Sequence, residues 1–508
     1  MIAATRATAR QSKPFPIDLS ASEPSTSKSY GSEDMQSPRD SIRRAWRHCA
    51  QRPSKVGKTN GVPGATATRL VVLLELGSEL KPLHGTREVV PTSRAEGTVA
   101  EQETLHSPKS DKFVLLIGIL SGFQFLRLHY AYQAALQAKY VPTDFGNALP
   151  DFNLTNDQLR ARHDLIATRP EWKRLGGGCE GATFVHGTHV IKTFNSGKLP
   201  RNCMPVEQGG FWTAVGDHWE QTRWPPEIPA SILLAGQEDS SKESTGLVPV
   251  TDFFLAETEA DVGVRWHLVS RLASGGNLYN LARRLRQGIS EEPQFRAVDE
   301  AFRPAFHSIL ETLRNVHEHG LCHDDVKPDN IFIGEDDSQW YLGDLGNIRH
   351  VEHPYHGSRI WQLNDQVPDC RANDVLRAVK TYLTLLRLAA DDATEFDVAL
   401  FEGKEPWSRL YWMARQADIS LSASRMQDWS QNLEPALAPP HYLSKYTTTP
   451  LGMWNPFALL WNGKKGVFRK AADEVLAMRL GEKWARVFAL TDWFGVPIAP
   501  CPSYESAN

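Results

Sequence analysis

The sequence lacks the cysteine spacings that mark a zinc site or a dithiol redox site. Its six cysteines are scattered over 508 residues, and no two of them form a C-x-x-C pair. This absence excludes a zinc ribbon or a thioredoxin-like centre. We expect reduced, intracellular thiols rather than a disulfide framework. The cysteines are Cys49, Cys179, Cys203, Cys322, Cys370 and Cys501.

A strong excess of charge of one sign is also missing. The chain has 56 Lys and Arg against 60 Asp and Glu, which leaves a net charge of -4. Such a balance gives no general electrostatic reason for binding nucleic acid or an anionic membrane. We therefore expect no nucleic-acid partner and no membrane contact, and we place the protein inside the cell, in the cytoplasm or the nucleus.

No apolar run reaches the roughly 20 residues that cross a bilayer. The longest run covers residues 113–126, contains Ser121 and Gln124, and ends before Arg127 and His129. We interpret it as a buried helix that docks on a neighbouring domain, with a membrane anchor as the alternative. The sequon Asn153-Leu154-Thr155 would matter only in a secreted chain.

The first ~110 residues differ in composition from the rest. Segments such as Ser20–Ser29 and Thr92–Gly97 are rich in Ser, Thr, Gly and charge. They offer little apolar surface to offset chain entropy, so we expect a disordered extension. Arg6 and Arg10, with no acid before Asp18, would also suit a transit peptide. We interpret the segment as an untargeted tail.

The most informative stretch is His323-Asp-Asp-Val-Lys-Pro-Asp-Asn330, which is followed by Leu342-Gly-Asp-Leu-Gly346. Two carboxylates, an ammonium and a carboxamide stand at fixed offsets in a short loop, and another acid follows a hairpin. Phosphoryl transfer needs these groups: an acid to accept a hydroxyl proton, a cation for the moving phosphoryl group, and oxygen ligands for magnesium.

The pattern H-x-D-x-K-x-x-N followed by D-x-G resembles the catalytic and metal-binding loops of the protein kinase superfamily. The resemblance implies that Asp325, two before Lys327 and five before Asn330, is the catalytic base. It implies that Lys327 neutralises the transferred group and that Asn330 and Asp344 hold Mg²⁺. It gives His323 an architectural role, bracing the two loops.

The chain departs from the kinase pattern at two places. Asp324 stands where kinases usually carry the Arg that grips an activation-loop phosphate, so we predict that phosphorylation of this loop is not the on-switch. The Ala-Pro-Glu that closes the activation segment is missing from 347–373, which puts docking of a protein substrate in doubt. Asp374 is either the buried acid that anchors the catalytic loop or an ordinary helix cap.

A glycine-rich loop precedes these motifs. Gly176, Gly178 and Gly181 match G-x-G-x-x-G; residues 172–175 can form a strand before them, and the β-branched and aromatic residues after them predict a second strand, which together make a strand–loop–strand lid over nucleotide phosphates. Lys192, between apolar neighbours in the next predicted strand, matches the kinase Lys that pairs with the α/β-phosphates. Only ten residues separate Gly181 from Lys192, a compressed hairpin that also occurs in related small-molecule phosphotransferases.

The partner of Lys192 and the adenine contacts remain open from the sequence. Glu207, Glu220 and Glu227 are the candidates for the orienting acid, and Pro225, Pro226 and Pro229 argue against a long helix through Glu227. The segment 266–272 predicts the strand that leads into the hinge. The backbone of Arg271 to Ala273 would then face adenine, beside the gate residue Ser270.

We therefore predict an α+β, two-lobed protein-kinase-like fold with a small antiparallel sheet lobe and a larger helical lobe. The expected divisions are a disordered extension (1–110), a helical preface (111–170), an N-lobe (171–272) and a C-lobe with a helical extension (273–500). The predicted function is ATP- and Mg²⁺-dependent phosphorylation of Ser or Thr in an unidentified protein. The alternatives are a small-molecule phosphotransferase, similar to aminoglycoside or choline kinases, and a pseudokinase scaffold.

Overall fold

The described part of the protein begins at Pro108, inside the last three residues of the predicted N-terminal extension, where a helix has already started. The computed structural model describes residues 108–145, 154–178, 180–195, 201–203, 223–235, 245–258, 261–287, 294–431, 456–478 and 481–496. The extension up to residue 107, together with Glu207 and Glu220, lies outside these residues.

A five-stranded antiparallel sheet forms the smaller lobe, with the strand order β1-β2-β3-β7-β6. Its apolar side chains pack on helix α3, because Phe194, Trp266 and Leu268 share a buried cluster with Ile228 and Ile232. The elements are β1 (Lys173–Gly177), β2 (Gly181–His186), β3 (His189–Phe194), the short pair β4 (Asn202–Cys203) and β5 (Arg223–Trp224), α3 (Glu227–Ala235), β6 (Val250–Thr258) and β7 (Asp261–Arg271).

Helices make the larger lobe, and its core lies between α5 (Gln294–Glu318) and α7 (Cys370–Ala389). The apolar stripe from Phe306 to Val316 on α5 is almost fully buried, and Gly320 ends the turn after this helix with φ +70°, as the sequence predicts. The helices are α4 (Leu278–Gln287), α5 (Gln294–Glu318), α6 (Arg359–Leu363), α7 (Cys370–Ala389), α8 (Ala393–Glu402), α9 (Pro406–Ala417), α10 (Ala423–Gln431) and α11 (Pro456–Val475, interrupted at Gly463).

Short strands hold the functional loops between the lobes. The His323–Asn330 loop runs from β9 to β10, and Asp344 follows β11, which pairs with β10. The segment after Asp344 returns to β9 through β12, where Arg349 lies opposite Cys322. These strands are β8 (Gly276–Asn277), β9 (Leu321–Cys322), β10 (Ile331–Ile333), β11 (Trp340–Leu342) and β12 (Arg349–His350). The chain thus has the two-lobed, protein-kinase-like fold that the motifs predict.

The apolar run 113–126 is not the buried helix that we expected. It forms the first half of α1 (Pro108–Lys139), and its large apolar side chains are exposed. The second half docks instead, with Tyr132, Ala135 and Leu136 buried against α6 and α12 (Lys483–Phe488). The other peripheral helices are α2 (Asn156–Ala167) and α13 (Thr491–Phe494).

The expectation of reduced cysteines is also wrong. Cys322 in β9 and Cys370 at the start of α7 form a disulfide across 48 residues of sequence, and both are buried. Cys203 is disulfide-bonded as well. The folded chain brings β9 and the start of α7 together, which cysteine spacing alone does not reveal.

Candidate active site

The predicted base, Asp325, is held by groups from three directions. Its Oδ2 accepts hydrogen bonds from Lys327 Nζ at 2.6 Å and from Asn347 Nδ2 at 3.3 Å. Its Oδ1 accepts one from the buried guanidinium of Arg377 at 3.2 Å. Charge-assisted hydrogen bonds of this kind fix the orientation of a carboxylate. Asp325 and Lys327 are therefore adjacent, as the motif implies.

His323 and Asp374 brace the backbone of this loop. The Asp374 carboxylate accepts the backbone N–H groups of His323 at 2.7 Å and Asp324 at 2.9 Å. His323 Nε2 lies 3.1 Å from the Gly343 carbonyl, and its Nδ1 accepts the Asp325 N–H. The choice left open for Asp374 is thus resolved as the anchor, because the cap of α7 is Asp369. His323 joins the catalytic loop to the metal-binding loop, as predicted.

Asp324 takes part in a buried ion-pair network. It has φ +63°, and its Oδ2 lies 2.9 Å from Arg349 Nη1 and 3.0 Å from His356 Nε2. Burial raises the pKa of Asp324, but the hydrogen bond and charge of His356, together with Arg349, outweigh it and lower the pKa. Asp324, His356 and Cys370 lie close enough to suggest a metal site, but the Cys370 sulfur is used in the disulfide.

Lys192 contacts two acids from distant parts of the sequence. Its Nζ bonds the carboxylate of Glu227 and lies 2.9 Å from Asp344 Oδ1. Glu227 is the first residue of α3, so Pro225 and Pro226 precede the helix and Pro229 falls in its first turn, where Pro is tolerated. The prolines therefore place the start of the helix and do not exclude Glu227 as the partner.

Glu227 is buried and the side chains of Lys192 and Asp344 are partly buried, 19% and 30% exposed, and this environment shifts the pKa values of all three groups. Burial opposes the charge on Lys192, but Asp344 and Glu227 outweigh it and raise its pKa. Burial likewise opposes ionisation of Asp344, but Lys192 holds its pKa at about 2. Burial, reinforced by Asp344, raises the pKa of Glu227 to about 7 in spite of Lys192. Two acids therefore share the single ammonium of Lys192, and the low pKa of Asp344 keeps a carboxylate available for a bound cation.

The proposed magnesium ligands stand on neighbouring strand ends. Asn330 precedes β10, Asp344 follows β11, and the Gly343 N–H donates to the Asn330 carbonyl at 2.9 Å. Asn330 Nδ2 donates to the Asp325 carbonyl, so its Oδ1 is the end that can meet a cation. A carboxylate and an amide oxygen are ligands that Mg²⁺ accepts, so these residues fit the metal.

The three loop glycines differ in their surroundings. Gly181 packs so closely on β3 that an added Cβ would lie 2.0 Å from the Thr193 carbonyl oxygen. A Cβ on Gly176 or Gly178 would meet nothing within 4 Å, so both face open space where phosphates could approach. Arg201 links this loop to the metal-binding loop, because it bonds Glu180 and Asn347, each at 3.0 Å.

The predicted adenine contacts lie at the end of β7. Arg271 pairs with His189 in the sheet, and the Leu272 N–H donates to the Thr188 carbonyl at 2.8 Å. Ala273 follows in the connection to β8, where its carbonyl accepts the Gly276 N–H. The assignment of Arg271 and Ala273 to adenine binding stays a prediction.

Sequence reasoning missed several residues that shape the site. Arg377 contacts the base, Arg349 and His356 neutralise Asp324, and Arg201 joins two loops. Only Arg377 has a readable signal, since it follows Asp374 by three residues and so shares its helix face. The others come from segments with no motif.

Comparison with known proteins gives a fold-level likeness at low similarity. No family profile matches the chain, and no curated protein sequence matches it. The solved kinase domain of Mycobacterium tuberculosis PknI is 14% identical, with a TM-score of 0.31, over 51% of this chain and 94% of that domain. A single and a double mutant of that domain are 15% identical, with the same TM-score. The strand order of the sheet and the side-chain geometry of the site define the fold.

Proposed function

We propose that this protein transfers the γ-phosphoryl group of ATP to an alcohol group, with a Ser or Thr side chain of a protein as the acceptor. The observation that carries the proposal is the convergence of Lys192 on Glu227 and Asp344. A buried lysine with two acids, beside a glycine loop and an oriented base, is the arrangement that positions a nucleotide for phosphoryl transfer.

Each residue has a role that its contacts support. The N–H groups of the loop around Gly176 and Gly178 cradle phosphate oxygens, and Lys192, oriented by Glu227, binds the α/β-phosphates. Asp325 accepts the proton of the attacking hydroxyl, and Lys327 neutralises the group in transit. Asn330 and Asp344 would hold Mg²⁺, which supplies charge neutralisation at phosphate oxygens.

Lys327 favours a protein acceptor over a small molecule. It lies 2.6 Å from the base, and the resemblance associates a Lys at this position with Ser/Thr protein kinases. A small-molecule acceptor is the second candidate, favoured by the tight turn at Gly187 between Gly181 and Lys192 and by the missing Ala-Pro-Glu. A pseudokinase scaffold finds less support, because competent residues fill all five chemical positions.

Labelled ATP tests the proposal. The purified chain is incubated with γ-labelled ATP and Mg²⁺, in parallel with Ser/Thr peptide libraries and with small alcohols and sugars. We expect label on peptides. Label on small alcohols alone would favour the second candidate. A chain that binds neither ATP nor Mg²⁺ would contradict an enzymatic role.

A further inference from the structure

The first half of α1 presents apolar side chains to its surroundings on every side. Its ten large apolar residues from Phe113 to Leu126 are each between 42% and 66% exposed. Five of them are consecutive, Phe113 to Ile117, and at about 100° per residue they cover the whole circumference of a helix. A helix that lies on a membrane surface has a polar face, and this segment has none.

The length of this segment is sufficient to cross a bilayer. The run 113–126 alone spans about 21 Å, and the helix from Lys112 to Leu128, which ends before the docked residue Tyr132, has the roughly 17 residues at the short end of the range for a spanning helix. Within it, Arg127 is exposed and can extend to the lipid headgroups. His129 bonds the Phe488 carbonyl at 2.9 Å, so its polar ring is satisfied by the protein. Among the described residues, Lys112–Lys139 is the segment long and apolar enough to span a membrane.

Aromatic residues lie on α12, which contacts α1, and on α13, which follows α12 in the chain. Phe488 of α12 stacks on Tyr132 with ring centroids 5.5 Å apart, and it also contacts Phe125. Trp484 on α12 is 63% exposed, and Trp493 and Phe494 on the following helix, α13, are 80% and 72% exposed. Trp side chains are enriched at the headgroup level of a bilayer, and the exposed Phe494 adds apolar surface beside them. The apolar surface therefore belongs to the domain as well as to α1.

The disulfide identifies the compartment of the domain. Cys322, directly before the His323–Asn330 loop, is joined to Cys370 at the start of α7, and disulfides persist in oxidising compartments but are rare in the cytosol. Cys203, also bonded, belongs to the smaller lobe. Both lie on the C-terminal side of α1, as does the chain's one sequon, Asn153-Leu154-Thr155.

We propose that α1 spans a membrane and that the whole kinase-like domain lies on its non-cytosolic side, in the lumen of the secretory pathway or outside the cell. The exposed apolar half of α1 and the buried disulfide are independent observations, and they agree on this topology. It replaces our sequence-based expectation of a cytoplasmic or nuclear protein without membrane contact. The proposal does not depend on phosphoryl transfer.

Translation of the full chain with endoplasmic reticulum microsomes tests the topology without any nucleotide. We expect the protein to sediment with the membranes after an alkaline carbonate wash. We also expect the domain to resist added protease until detergent opens the vesicles. A glycan at Asn153, removed by PNGase F and absent from Asn153→Gln, would confirm the side. Release by carbonate would overturn the span, and digestion of an unglycosylated domain before detergent would overturn the orientation.

A pair of variants separates α1 from apolar residues elsewhere on the surface. Leu116→Lys/Leu120→Lys places two charges on the exposed half of α1, where neither side chain packs on the domain. We expect this variant to remain in the supernatant. Ile419→Lys changes a similarly exposed residue, 62% accessible, on the larger lobe, and we expect it to sediment like the wild type. Equal sedimentation of all three proteins would contradict a role of α1.

Discussion

At the residue scale, two histidines three positions apart have pKa values shifted in opposite directions. His353 Nε2 faces the Val141 carbonyl at 3.1 Å, and its Nδ1 accepts the Tyr355 N–H, so the ring is neutral. Burial, with Arg349, lowers its pKa to about 3. His356 faces an oxygen at each nitrogen, and although burial lowers its pKa, Asp324 raises it on balance.

These two shifts predict opposite pH dependences of stability. A His with a lowered folded pKa stabilises the fold above the unfolded pKa of about 6.5, and this stability is lost as the pH falls. A His with a raised pKa stabilises below about 6.5, and this is lost as the pH rises through the folded pKa. The free energy of unfolding of the wild type, measured in urea, should fall as the pH is lowered from 6.5 to 5. We expect His353→Gln to reduce this slope by up to about 1.4 kcal/mol per pH unit. An unchanged slope would contradict the neutral assignment.

The buried pair of Asp324 and Arg349 gives a second prediction at this scale. Both side chains are at most 4% exposed, so removing Arg349 breaks a buried ion pair and leaves Asp324 with the His356 ring as its remaining partner in the network. We expect Arg349→Gln to lower the free energy of unfolding by about 3–5 kcal/mol. The double variant Asp324→Asn/Arg349→Gln should recover part of this loss. A double variant less stable than the single variant would contradict the pairing.

The sequence predicts candidate site residues where a motif fixes their spacing. Asp325, Lys327, Asn330 and Asp344 are recognisable because one loop and one hairpin set their offsets. Arg349 and Arg201 were not recognisable, since each acts on an acid far away in sequence and belongs to no motif. Which of several acids pairs with Lys192 likewise depends on how α3 packs.

At the scale of elements, two glycines of the loop have different roles: Gly181 packs on a strand, and Gly178 leaves space for a ligand. Gly181 touches β3, whereas Gly178 faces open space. We expect Gly181→Ala to lower the melting temperature even in the absence of nucleotide, because the backbone must move away from Thr193. We expect Gly178→Ala to leave the melting temperature unchanged but to weaken ATP binding. Thermal unfolding and ATP titration of both variants measure this, and equal ATP affinity in Gly178→Ala would contradict the lid.

Elements were predictable where a periodic pattern coincided with packing. The stripe on α5 and the glycine after it specify a buried helix that ends at the catalytic loop. The run 113–126 has equal apolar character, but its large side chains are exposed because most of it does not pack on the domain. Hydrophobicity alone therefore predicts burial where the structure shows exposure. The start of α3 at Glu227 follows from its prolines only once they are recognised as first-turn residues.

At the scale of the whole molecule, the disulfide joins the catalytic loop to the helix that anchors it. A cross-link across 48 residues stabilises by about 4 kcal/mol in the chain-entropy treatment. We expect Cys322→Ser/Cys370→Ser to lose about 2–4 kcal/mol of unfolding free energy. A reductant should then lower the free energy of unfolding of this variant less than that of the wild type. Equal stability of the two proteins would contradict the cross-link.

The kcat of Asp325→Asn measures whether Asp325 is the base of a phosphotransferase. Because a positioned general base contributes about 10²–10⁴-fold, we expect kcat to fall by that factor while ATP affinity stays near the wild-type value. Asp336→Asn, which changes an exposed acid in the neighbouring hairpin turn, should turn over like the wild type. An Asp325→Asn protein with a wild-type kcat would contradict the account.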